Sequence, residues 1–145
     1  MARLDRRRLE SAQYPFVAEI PVRYDDLDTL GHVNNAATVV ILQEARAQFA
    51  RTGGLRAHMR GLHTIVVSIT VEYADEILYP GVVQVSTGLV SLGRTSLTMA
   101  QVIRQKDRPA VYAETVLVMA DANKAPIAVP DPIRALADSL TLKAG

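Results

Sequence analysis

The sequence predicts an α+β domain: an antiparallel sheet of about five strands wrapped around one long helix. Three observations predict it. A single long apolar segment of helical period runs from Asn34 or Asn35 to Gly53. One segment of period two precedes it and four follow it. Short polar links between the later segments make them antiparallel neighbours in a meander. One sheet with one apolar face and one buried helix are best satisfied by each other.

Each element has its own signal. Residues 1–14 carry four arginines and little apolar pattern, so they read as a basic, solvated tail ahead of a single domain at 15–145. Phe16, Ala18, Ile20 and Val22 alternate, which predicts a strand, and Pro21 places it at a sheet edge or a bulge. The polar loop Asp25–Val33 follows. Asn34 or Asn35 suits the N-cap of the long helix, because its side-chain oxygen accepts from otherwise unpaired N–H groups. Thr38, Ile41, Leu42, Ala45 and Phe49 recur at helical spacing. Ala36, Ala37, Val39 and Val40 make the first turns apolar nearly all round, the mark of a helix enclosed by protein. Gly53-Gly54 ends it.

The period then changes to two. Ile65, Val67, Ile69, Val71 and Tyr73 predict one face of a strand over 64–73. Further strands are expected at 82–90, 95–105 and 111–121, separated by Leu92-Gly93-Arg94 and by Lys106-Asp107-Arg108-Pro109. Asp131 as N-cap and Pro132 at the first helical position predict a short helix over 132–140.

Composition narrows the function. A length of 145 residues suits one domain with a real core. Hydrophobic residues at 49% and charged residues at 21% are ordinary for a globular chain. A net charge of +1 argues against a dedicated nucleic-acid binder. The absence of cysteine excludes disulfides and thiolate metal sites. No apolar run approaches the ~18 residues that cross a bilayer, and the basic N-terminus has no apolar signal core. The expectation is a soluble cytoplasmic protein.

The chemistry concentrates between Arg23 and Arg46. Asp25, Asp26, Asp28, Gly31, His32, Asn34 and Asn35 crowd into the loop that feeds an apolar helix. Polar groups in such a place must be hydrated, paired or used. A carboxylate is able to attack a carbonyl or to activate water, and helix N-terminal N–H groups are able to hold a developing oxyanion. Gly31 offers the positive φ that a tight reversal between Asp28 and Asn35 needs. The plainer reading makes Asp28 a turn acid that binds backbone N–H groups, His32 a surface side chain, and Asn34 and Asn35 caps. Glu44 reads as a surface or dimer-contact acid paired with Gln48 or Arg51. His58 and His63 lack companions at metal-ligand spacing. No G-x-S-x-G, phosphate-loop or dinucleotide fingerprint is present.

The string Arg23-x-x-Asp26-x-Asp28-x-x-Gly31-His32-Val33-Asn34-Asn35, ending in Glu44-Ala45-Arg46, resembles the 4-hydroxybenzoyl-CoA thioesterase-like branch of the hotdog-fold acyl-CoA thioesterases. Tyr73, Pro80-Gly81, the run Leu92–Leu97 and Ile127–Pro130 extend the resemblance over residues 16–135. It implies a hotdog fold and a homodimer, often paired into a homotetramer. It also implies hydrolysis of an acyl-CoA or acyl-carrier-protein thioester with no metal and no organic cofactor. By the same resemblance Asp28 is catalytic, as nucleophile or general base. His32 assists it, and the backbone N–H of about Asn35 polarises the thioester carbonyl.

Two positions depart from the pattern: Thr38 stands where an aromatic residue is common, and Leu30 replaces an Asn of the plant acyl-carrier type. Arg94, Arg104 and Arg108, at strand ends and turns, are candidates for coenzyme A phosphates or plain edge cations. Val39, Val40, Ile65 and Val67 suggest an aliphatic acyl lining. The alternative is a non-catalytic protein that binds acyl thioesters or stabilises an assembly. A hydratase on the same fold is a third reading with no supporting pattern.

Overall fold

The computed structural model describes residues 3–145. Its elements are α1 (Arg6–Ser11), β1 (Phe16–Pro21), α2 (Asn35–Thr52), β2 (His63–Tyr73), β3 (Val82–Leu92), β4 (Ser96–Gln105), β5 (Arg108–Ala120) and α3 (Asp131–Leu140). The five strands form one antiparallel sheet in the order β1-β3-β4-β5-β2. The sheet packs α2 against its inner face.

The helix starts and stops as its sequence requires. Asn34 is extended at φ −76° and accepts the Ala37 N–H at 2.7 Å, which satisfies one free donor of the first turn. Gly53 closes the helix through its N–H to the Phe49 carbonyl, and Gly54 at φ +87° turns the chain away. Ile41, Leu42 and Ala45 pack on Ala18, Ile20, Val83, Val85, Ile103 and Val111. Phe49 packs farther along with Leu89, Leu97, Met99, Leu117 and Met119. Each such side chain removed from water contributes ~1.5–3 kcal/mol, so the sheet-facing stripe fixes where the helix lies.

Several expectations are corrected. The strands after α2 do not form a continuous meander. β3, β4 and β5 do, but β2 crosses to the far edge beside β5, and β1 takes the other edge beside β3. The link 74–81 is too long to enforce a hairpin, whereas the β4–β5 link is the two-residue turn Lys106-Asp107, both at positive φ. The remaining residues of that expected turn, Arg108 and Pro109, belong to β5. In β2 a bulge between Val66 and Ser68 breaks the alternation. Val66 lies opposite Leu117, Ile69 opposite Thr115 and Val71 opposite Ala113, so these face inwards while Ile65 faces out.

The helix is not enclosed within one chain. Asn35, Ala36, Val40, Gln43 and Glu44 are exposed on the side away from the sheet. Residues 1–2 of the expected tail lie outside the described residues. The rest is not simply solvated: Asp5 caps α1 through the Arg8 N–H at 3.1 Å, and Leu9 is buried against Ala100, Val102, Tyr112 and Leu142. The outer face of the central strands is therefore covered too, and β4 is buried nearly continuously instead of alternately. α3 begins at Asp131, with Pro130 as its cap, one residue earlier than expected. Among the described residues, no helix is long and apolar enough to cross a membrane.

Candidate active site

The loop between β1 and α2 folds as a small hairpin. The Asp28 N–H donates to the His32 carbonyl at 2.8 Å, and the Gly31 N–H donates to the Asp28 carbonyl at 3.1 Å. Gly31 sits at φ +82°, the left-handed residue that closes a three-residue hairpin loop. Nothing lies within 4 Å of a Cβ built there, so the need for glycine is conformational and not steric. Asp28 also completes an Asx-type turn: its Oδ1 accepts the Leu30 N–H at 2.8 Å and the His32 N–H at 3.2 Å. The hairpin is held to its surroundings by the Val33 N–H on the Ile77 carbonyl at 3.2 Å and the Asn34 N–H on the Asp26 carbonyl at 2.9 Å.

Asp26 anchors the entry to this loop. It is buried at 2% exposure and accepts the Arg23 backbone N–H at 2.8 Å and the Arg23 guanidinium at 2.9 Å. Burial by itself pushes its carboxyl up. The hydrogen bonds and charge of Arg23 overcome that and hold it below the ordinary carboxylate value.

Asp28, His32, Asn35 and Thr38 line one open cavity of about 320 Å³, together with Val33, Tyr73, Asp75, Glu76, Ile77 and Val111. The structure thus brings together Asp28, His32 and Asn35, and Gly31 shapes the turn between them. Oδ2 of Asp28 makes no hydrogen bond among the described residues. The first-turn N–H groups of Asn35 and Ala36 likewise have no acceptor among the described residues, as expected for the start of a helix. Asp28 and a free donor at the positive end of a helix dipole, that of Asn35, therefore belong to residues that line the same opening.

Sequence reasoning missed the opposite wall. The His32 Nε2 meets Glu76 Oε2 at 2.6 Å. The Tyr73 hydroxyl donates to the Asn35 carbonyl at 3.2 Å, and burial pushes its pKa up. Asp75 pairs with Arg108, whose hydrogen bond holds the Asp75 carboxyl low. Tyr73 and Glu76 come from the end of β2 and the link after it, and no spacing in the sequence ties that link to the Asp28 loop. The available signal was a polar Asp75-Glu76 pair directly after an apolar strand.

The remaining expectations divide. Glu44 is exposed and accepts from Gln48 at 3.2 Å, as its helical spacing suggested. Arg94 is not brought to this cavity: it lies in the β3–β4 turn, beside the Ser96–Val118 end of the sheet, while the cavity adjoins Val111 near the other end. Arg104 reaches back to the Glu10 carbonyl at 2.8 Å, and Arg108 is held by Asp75. Val39, Val40, Ile65 and Val67 do not line the cavity; Val33, Ile77 and Val111 supply its aliphatic wall. Thr38, in the place of the aromatic, is buried and donates to the Asn34 carbonyl at 3.2 Å. No three His, Asp or Glu side chains converge as metal ligands among the described residues.

The chain is similar to several known proteins. Residues 22–136 match the family model described as the thioesterase-like superfamily. A solved thioesterase from Thermus thermophilus, complexed with coenzyme A and Zn, is 31% identical with a TM-score of 0.79, covering 88% of this chain and 94% of that one. The PA2801 protein of Pseudomonas aeruginosa, provisionally described as a thioesterase, is 29% identical with a TM-score of 0.76, covering 85% and 98% of the two chains. A curated Aquifex aeolicus protein with a provisional esterase description is 27% identical over 104 residues, 70% of this chain and 81% of that protein. The wrapped helix and these likenesses identify the hotdog fold. The match over most of its length means that this chain belongs to the thioesterase-like superfamily.

Proposed function

We propose that the protein hydrolyses an acyl thioester to a free acid and a thiol, with acyl-CoA as the leading substrate and an acyl-carrier-protein thioester as the other. The observation that carries the reading is the presence in one cavity of Asp28 and of Asn35, whose first-turn N–H has no acceptor among the described residues. A carboxylate tied at one oxygen by two N–H groups is fixed in orientation, and its second oxygen is left to act. That oxygen attacks the thioester carbonyl, expelling the thiolate and leaving a mixed anhydride that water then hydrolyses, or it takes a proton from a water that attacks the carbonyl and expels the thiolate. The helix N-terminus holds the oxyanion that forms. His32, fixed by Glu76, borders the reacting atoms and assists. The coenzyme A bound by the Thermus thermophilus neighbour supports the choice of thiol.

A homodimer completes this reading. Edge strand β2 exposes Ile65, Val66 and Val67 at 37%, 47% and 57%, and α2 exposes Val40. An exposed apolar edge is a template for pairing with another chain.

The test is thiol release from a panel of acyl-CoAs, aliphatic and aromatic, by the wild type and Asp28→Ala. The variant should keep its oligomeric state and lose nearly all turnover. Wild-type rates from Asp28→Ala would end the mechanism. One observation favours the non-catalytic alternative: Asp28 already serves the turn through Leu30 and His32. Thermal stabilisation by acyl-CoA with no thiol released by the wild type would select that reading.

A further inference from the structure

A second, larger cavity of about 550 Å³ lies under the C-terminal half of α2, between the helix and strands β2, β4 and β5, and shares no residue with the cavity at Asp28. Its floor is aliphatic and thioether: Leu97, Met99, Leu117, Met119 and Ile133. Its charged lining is entirely basic, Arg46, Arg56 and Arg60, with His63 beside them and no Asp or Glu. That is notable in a chain whose net charge is only +1.

Arg46 is the unusual member. It is 9% exposed, yet among the described residues no carboxylate lies within ion-pair distance of it. Its hydrogen bonds are long and come from Nη1 alone, to Gln101 Oε1 at 3.3 Å and Thr115 Oγ1 at 3.5 Å, both neutral. Gln101 is itself locked, donating to the Leu42 carbonyl at 3.0 Å and to Thr87 Oγ1 at 3.1 Å, so its oxygen is committed towards the guanidinium. The guanidinium is thus held in place, and its Nε and Nη2 have no protein acceptor among the described residues. A buried cation without an anion carries a large desolvation cost, and burial pulls the Arg46 pKa down. Arginine still stays charged, so an anion from outside the chain that meets Nε and Nη2 would offset that cost.

We propose that this cavity is a second ligand site that takes a medium-chain aliphatic carboxylate, with its head on Arg46 and its tail along Met99, Leu117 and Met119 towards Ile133. The size falls within the ~300–1,000 Å³ of small-molecule sites. Methionines adapt to a flexible chain, and the lining holds no Phe, Tyr or Trp to stack on a planar acid. The rim arginines Arg56 and Arg60 draw in anions and repel cations. The proposal does not rest on the hydrolysis reading, although a free carboxylate is what such hydrolysis releases.

The test uses the full chain and calorimetric titration with octanoate, octan-1-ol and octyltrimethylammonium. Octanoate should bind at least tenfold more tightly than octanol, and the cation should not bind. Arg46→Met, which keeps the length and apolar stem, should weaken octanoate by ~10- to 100-fold while leaving octanol unchanged. Asp28→Asn should bind octanoate as the wild type does, which separates this site from the proposed catalytic one whatever the thiol-release assay gives. Equal binding of octanoate and octanol overturns the proposal on the wild type alone, even if Arg46→Met fails to fold. So does an absence of binding because a second copy fills the cavity, or a loss of octanoate binding in Asp28→Asn.

Discussion

His32 Nε2 and Glu76 Oε2 lie 2.6 Å apart across the cavity that contains Asp28. The pair joins the two walls of that cavity: the Asp28 hairpin and the link that follows β2. Both side chains are close to half exposed, so the pair contributes little to stability. Its importance is positional.

The first prediction concerns this pair. A double-mutant cycle of His32→Ala and Glu76→Ala in urea should give a coupling of only ~0.2–1 kcal/mol. Thiol release should behave differently: each single variant slows it, and the double variant is no slower than the worse single one. Additive losses in activity would mean that the two side chains act separately.

Gly31→Ala places a Cβ at φ +82° in open space, so its cost is backbone strain of about 1–2 kcal/mol. Because the strain falls on the turn that aims Asp28, thiol release should drop by more than the midpoint of unfolding suggests. Gly31→Asn should recover part of both, since Asn tolerates this region better. Equal losses for Ala and Asn would point to a steric cause instead.

Asp26 should give the loop an acid-sensitive anchor. Its folded pKa lies below the ordinary 3.8, so its stabilisation is present above that value and is lost as pH falls through the lower folded one. Asp26→Ala leaves the Arg23 N–H without its acceptor and should cost about 1–3 kcal/mol at neutral pH. The difference in stability between the variant and the wild type should shrink in acid. Denaturation curves at pH 7 and at pH values below 3.8 check both points.

Gln105 is buried at 3% exposure and clamps the link through both backbone groups of Leu78, each at 2.9 Å. Gln105→Ala leaves those two groups unpaired and should cost about 1–3 kcal/mol. Since Glu76 and Ile77 of the same link line the Asp28 cavity, catalysis should weaken as well, and Asp75 and Glu76 amides should lose protection from hydrogen exchange. Unchanged exchange there would show that the link is held without Gln105, by Arg108 and the backbone bonds to Val33 and Ala110.

Much of the candidate site was legible because it is local. Asp28, Gly31, His32 and Asn35 fall within one loop and the turn of helix it enters, and hairpin geometry, capping and positive φ act over a few residues. Tyr73 and Glu76 were not legible as site residues, since the Val33–Ile77 backbone pairing that brings their segment across is a long-range contact. The bulge in β2 was invisible for a similar reason: an alternating run carries no sign of the residue that its partner strand will leave unpaired. Arg46 read as one end of a motif, and only packing revealed it as a buried cation whose acceptors among the described residues, Gln101 and Thr115, are both neutral.

The sequence by itself determined the elements, the long helix with its Asn34 cap, the turn chemistry and the carboxylate carried by the loop ahead of that helix. These follow from propensity, period and short-range hydrogen bonding. Only the tertiary structure decided strand order, which residues of β2 face inwards, what stands opposite Asp28, and where a guanidinium is buried without an anion. Those depend on register and burial between segments distant in the chain, and side-chain periodicity alone does not encode which segments meet.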